Sequence, residues 1–100
     1  MTVVTAPSLR QLLDRTRSIL PISDEDIIVR GITAELTDRI VELKRAAQAL
    51  QGKYGSLEQL ERILTEEGVP PDDHTRYTDL LEWRAIRSEL AELIDLLESI

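Results

Sequence analysis

Cysteine is absent from this chain of 100 residues, and so is phenylalanine. Without cysteine there is no disulfide framework, no thiolate metal site and no cysteine nucleophile. Such a chain suits a reducing compartment. Aromatic residues are reduced to one Trp and two Tyr, so Leu, Ile, Ala and Val must fill the core. Gly and Pro number four each, too few for a turn-rich β fold. No apolar run approaches the ~18 residues of a membrane span. Residues 1–7 (MTVVTAP) lack the basic start and long apolar stretch of a signal peptide. The expectation is a cytoplasmic protein that does not enter a membrane.

Catalytic chemistry is equally sparse. His74 is the single histidine, and it stands beside Asp72 and Asp73. A zinc site wants three or four protein ligands, so this trio reads as the start of a helix rather than a metal site or a general base. No serine sits in a nucleophile elbow, and no glycine-rich loop could cradle a phosphate. The carboxylates follow helix-surface spacing, as in Glu35–Arg39 and Glu58–Arg62. The sequence therefore predicts no enzyme activity, no catalytic residue, no cofactor and no metal.

Charge is present in quantity and unevenly placed. The net charge is −7. Residues 1–45 hold seven basic and seven acidic side chains; residues 46–100 hold five and twelve. Nucleic-acid affinity needs clustered Lys and Arg, which this chain lacks. An acidic surface is better matched to a basic protein.

Hydrophobic spacing predicts an all-α fold, a single helical domain over residues 1–100. A first helix is expected over about 9–20, capped by Ser8 and stopped by Pro21. A second start lies at Ser23-Asp24-Glu25-Asp26. The β-branched run Ile27-Ile28-Val29 could be a short strand, but helix is favoured, with a break or kink at Gly31. A long helix follows over about 34–53. Its Leu36, Ile40, Leu43, Ala47, Leu50 and Tyr54 are spaced as a heptad seam.

Ser56 and Gln59 then frame a capping box for a short helix over about 57–67. Gly68 ends it, and Pro70-Pro71-Asp72-Asp73 forms a turn. The last helix is expected over about 76–100, with a second seam through Trp83, Ile86, Leu90, Leu93, Leu97 and Ile100. Leu80, Ile94 and Leu96 widen that face enough to need more than one neighbour. The two seams can pair as an antiparallel helical hairpin. Arg39 and Lys53 would flank one seam, Glu82 and Glu89 the other, with Lys53 and Glu82 both near the closed end.

The segment Lys53-Tyr54-Gly55-Ser56-Leu57-Glu58-Gln59-Leu60-Glu61, followed by Tyr77-Thr78-Asp79-Leu80-Leu81-Glu82-Trp83, resembles short acidic antitoxin-type proteins of prokaryotic toxin–antitoxin pairs. In these a helix start of this kind precedes a helix with an acid–Trp pair. The resemblance covers residues ~40–100, and the matching positions are Tyr54, Gly55, Leu60, Glu82 and Trp83. It implies a protein that neutralises a small toxin by direct binding. Residues 1–32 have no counterpart in it. No ribbon-helix-helix or helix-turn-helix signature accompanies it, so DNA-binding autoregulation is not implied.

These readings give a non-enzymatic protein-binding module that occludes a basic protein partner, such as a toxin. The expected partner-binding residues are Tyr77, Trp83, Leu90, Ile94 and Leu97, with Glu89 and Glu92. Trp83 suits the core as well as a partner contact, since interface hot spots favour Trp and Tyr. The alternative is a homodimeric helical adaptor with no inhibitory role, and a homodimer fits both readings. Mimicry of nucleic acid is disfavoured, because Arg84 and Arg87 interrupt the acidic surface of the last helix.

Overall fold

The structure is a computed structural model that describes residues 8–100; Val3 and Val4, the one candidate partner for a strand at Ile27–Val29, lie outside the described residues. The fold is all-α. Among the described residues four helices follow one another: α1 (Leu9–Ile19), α2 (Asp24–Tyr54), α3 (Leu57–Glu67) and α4 (Thr75–Glu98). None of these is long and apolar enough to cross a membrane. The chain divides into two compact units, Met1–Ala34 and Glu35–Ile100.

The first unit is built on local capping. Ser8 Oγ accepts from the Gln11 amide at 3.1 Å, and Gln11 Oε1 accepts from the Ser8 amide at 2.9 Å, a complete capping box. The helix ends just before Pro21, where the Leu20 amide donates back to Thr16. Ser23 Oγ then accepts from the Asp26 amide at 3.1 Å and opens α2. Asp24, Glu25 and Asp26 lie at the positive end of the helix dipole.

Ile27–Val29 are helical, as expected. Gly31 is the correction: it does not break the helix, and α2 starts at Asp24 rather than near Thr33. A helical Gly costs only about 1 kcal/mol against Ala. A Cβ on Gly31 would meet nothing within 4 Å, so no neighbour demands a glycine there. Sequence reasoning overrated a single weak residue inside a capped, strongly periodic segment.

The second unit holds the core. Leu43 and Leu50 of α2, Leu57 and Leu60 of α3, and Leu80, Trp83 and Ile86 of α4 form one buried cluster. Leu36 and Ile40, on the same α2 seam, are also buried. The two seams run antiparallel, because Arg39 meets Glu89 and Lys53 meets Asp79. Lys53 thus pairs with Asp79 and not, as the alignment of seams suggested, with Glu82. Asp79 lies nearly one turn earlier on α4, and there its carboxylate also accepts from the Tyr54 hydroxyl. A part-buried phenol needs an acceptor, and that need favours Asp79 over Glu82.

The corner between α2 and α3 depends on Gly55, whose φ of 89° is unfavourable for any residue with a side chain. Ser56 Oγ caps α3 by accepting from the Gln59 amide at 3.0 Å. The return half of the expected box is missing among the described bonds. Gln59 Oε1 instead sits where a Cβ on Gly55 would lie. Gly68, with φ of 73°, closes α3, and the Asp73 amide donates to Pro70 at 3.3 Å in the turn that follows.

Candidate protein-binding surface

The side chains singled out on α4 fall into two environments. Trp83 is only 6% exposed and belongs to the core, packed with Leu50, Leu57 and Ile86. Leu90 is half-buried against the same cluster, and Leu97 is half-buried further along. Tyr77, Ile94 and Glu92 are exposed. Glu89 accepts two bonds from the Arg39 guanidinium, at 2.8 and 3.2 Å. Arg39 also reaches Glu42 at 3.0 Å, and these two carboxylates hold its pKa above the ordinary arginine value. The helix-surface pair Glu35–Arg39 therefore gives way to Arg39–Glu42 and Arg39–Glu89.

Helix length explains the split along α4. A helix rises ~1.5 Å per residue, so the 11 residues of α3 reach ~17 Å and the 24 of α4 reach ~36 Å. Two ion pairs bind α3 to α4: Arg84 to Glu61 at 3.3 Å and Arg87 to Glu58 at 3.0 Å. Glu58 is thus taken by Arg87 rather than by Arg62. Its pKa is lowered, first by its own backbone amide at the start of α3 and then by Arg87. α3 spends its length on the first half of α4, where Leu80 and Trp83 are buried. Beyond Arg87 there is no α3 left, and Ile94, Leu96 (49% exposed) and Ile100 stand open. Leu81 and Val69 add apolar surface near the turn that the sequence did not single out. Leu81 follows the buried Leu80, so its outward position required knowing which α4 face α3 covers.

The same ion pairs decide the electrostatics. Of the five basic side chains after residue 45, four are held by carboxylates: Lys53 by Asp79, Arg76 by Glu67, Arg84 by Glu61 and Arg87 by Glu58. Arg84 and Arg87, which interrupt α4 in sequence, are turned onto α3. Among the described residues Glu92, Asp95 and Glu98 have no cation. They stand at the negative end of the α4 dipole, where a carboxylate is unfavourable. A basic ligand would relieve both.

Lys53, Tyr54 and Asp79 shift one another's pKa values. The Asp79 pKa is lowered, chiefly by the Tyr54 hydroxyl and then by Lys53. The Tyr54 pKa is raised, first by burial and then by the Asp79 bond. The Lys53 pKa is raised, mainly by Asp79. Every one of these shifts is explained by closure of the helix corner. The five positions that carry the antitoxin resemblance mostly serve that corner: Tyr54 latches α4, Gly55 turns the chain, and Leu60 and Trp83 fill the core. Glu82 is exposed, like Gly55, and lies on a groove between α2 and α4 lined also by Leu43, Ala46, Ala85 and Ile86.

His74 precedes α4 but makes no side-chain cap. Asp73 does that work, accepting from the Thr75 amide at 2.9 Å, and its pKa is lowered chiefly by Thr75. Among the described residues no three His, Cys, Asp or Glu side chains gather as a metal site.

No protein-family model, curated protein or solved structure matches the chain.

Proposed function

We propose that the chain is a non-enzymatic, antitoxin-type binding module that occludes a basic protein partner with the outer half of α4. One observation carries this reading. Past the end of α3, exposed Ile94, Leu96 and Ile100 lie beside Glu92, Asp95 and Glu98, while the basic side chains of α4 are consumed by α3. Apolar anchors within an acidic field suit a basic partner: the charges speed encounter and the aliphatic side chains slow release. Tyr77, Leu90 and Leu97 extend the same helix, with Glu89 held back by Arg39. Trp83, buried in the core with α3, lies outside this surface.

The test is purification of the tagged chain from its native cells, then titration of the partner so identified. A strongly basic partner is expected, with affinity that falls as salt rises and that drops about tenfold or more for Ile94→Glu. Recovery of no partner, or of one whose binding ignores both salt and Ile94, would retire the proposal. The second reading is a homodimeric adaptor with no inhibitory role. The aliphatic side chains left open in the first unit favour a dimer, and this reading predicts self-association without any basic ligand.

A further inference from the structure

We propose that the Met1–Ala34 unit is a self-association module, through which two copies of this chain pair by the apolar face of α1 and the first turns of α2. Leu13 is the only buried side chain of the unit among the described residues. Leu9 (68% exposed), Leu12 and Ile19 (76% exposed) occupy one side of α1, with Leu20 just beyond it. Ile28, Val29 and Ile32 stand open on α2. A unit of this size cannot bury enough surface alone, and oligomerisation is a usual remedy below ~40 residues. An exposed aliphatic array of this kind marks an interaction surface.

Charge identifies the occupant as a second copy. The unit carries four basic and four acidic side chains. Several neutralise one another within it: Arg10 Nη1 donates to Asp24 at 3.2 Å, and Arg17 pairs with both Asp14 and Asp24 at 3.0 Å. A two-fold dimer brings each patch against its own copy, so a face used this way must tolerate its own charge. This face does. The Glu35–Ile100 unit carries the entire net charge of −7 and would repel its copy. The inference is therefore independent of the basic partner proposed for α4.

Sedimentation velocity of the full chain over a wide concentration range tests it. A dimer is expected. Leu12→Glu or Ile28→Glu should raise its dissociation constant about a hundredfold or more, because a symmetric interface buries two new carboxylates, one from each copy. Leu96→Glu on α4 should leave it unchanged. A wild-type chain that stays monomeric overturns the proposal, whatever segment of its own covers the face. So does a dimer that Leu96→Glu dissolves and Leu12→Glu spares. A second measurement does not depend on the variants' folding. The chain has no cysteine, so Ser18→Cys can carry a single spin label. Intermolecular dipolar coupling between α1 helices is expected, and its absence in a confirmed dimer overturns the proposal.

Discussion

The two units of this chain solve the same problem with opposite resources. Glu35–Ile100 has three helical segments, a shared core of seven buried side chains and a large excess of acid. Met1–Ala34 has balanced charge, careful capping and one buried leucine. Capping fixes where a helix starts but supplies only about 1 kcal/mol per cap. Burial supplies about 1.5–3 kcal/mol for each large aliphatic side chain. The first unit is thus well specified and poorly buried, whereas the second is specified by its burial.

The largest expected effect tests that contrast directly. Leu60 is fully buried at the centre of the second unit. Leu60→Ala should cost about 2–5 kcal/mol in denaturant unfolding, because it removes transfer energy and leaves a cavity. Leu13→Ala should cost about 2 kcal/mol or less, since a rim site can relax. Hydrogen exchange should show the second change opening α1 while the Glu35–Ile100 core stays protected. Equal costs, or exchange that rises throughout the chain, would show one cooperative body instead of two.

Glycine sharpens the comparison at an intermediate scale. Gly55→Ala should destabilise by about 1–2 kcal/mol, because its φ of 89° is strained for an L side chain and Gln59 occupies the space. Gly31→Ala should stabilise by about 0.4–1 kcal/mol, since the new methyl meets nothing and the helix is already formed. Thermal melts of the two variants would decide. Shifts of the same sign would contradict the assignment of one glycine to a required turn and the other to a tolerated helix site.

Those two residues also show what could be read from sequence. The seam Leu36–Tyr54 was legible, and so was the second seam from Trp83 to Leu93, because a heptad period survives any detail of packing; Ile100, expected on the same seam, stands open past the end of α4. The helix starts at Ser8, Ser23 and Ser56 were legible because capping is local chemistry. Gly31 was misread because its cost is small beside the capped helix around it. The ion pairs were misread for a different reason. Glu58 has Arg62 one turn away on its own helix, yet it bonds Arg87 on α4; no helical period encodes the height at which α3 docks. The site was half legible for the same cause. Sequence showed that the α4 face was too wide for one neighbour, but not that α3 would bury Leu80 and Trp83 and leave Ile94 and Leu96 open.

The smallest effect concerns the latch at the closed end of the hairpin. The Asp79 side chain is 16% exposed and accepts from both Tyr54 and Lys53. Asp79→Asn keeps the shape but loses the charge, and should cost about 1 kcal/mol at neutral pH. The sign follows from linkage. The folded-state pKa of Asp79 lies below its unfolded value of ~3.9, so its contribution is fully present above that value. It is lost as pH falls through the lower, folded pKa. The gap in stability between the wild type and Asp79→Asn should therefore be constant from neutral pH down to about 5, then close in acid. Tyr54→Phe should shrink that gap, because it removes the first cause of the shift. A gap that persists in strong acid would mean that the Asp79→Asn amide distorts the corner sterically, and the Lys53–Tyr54–Asp79 latch would lose its electrostatic explanation.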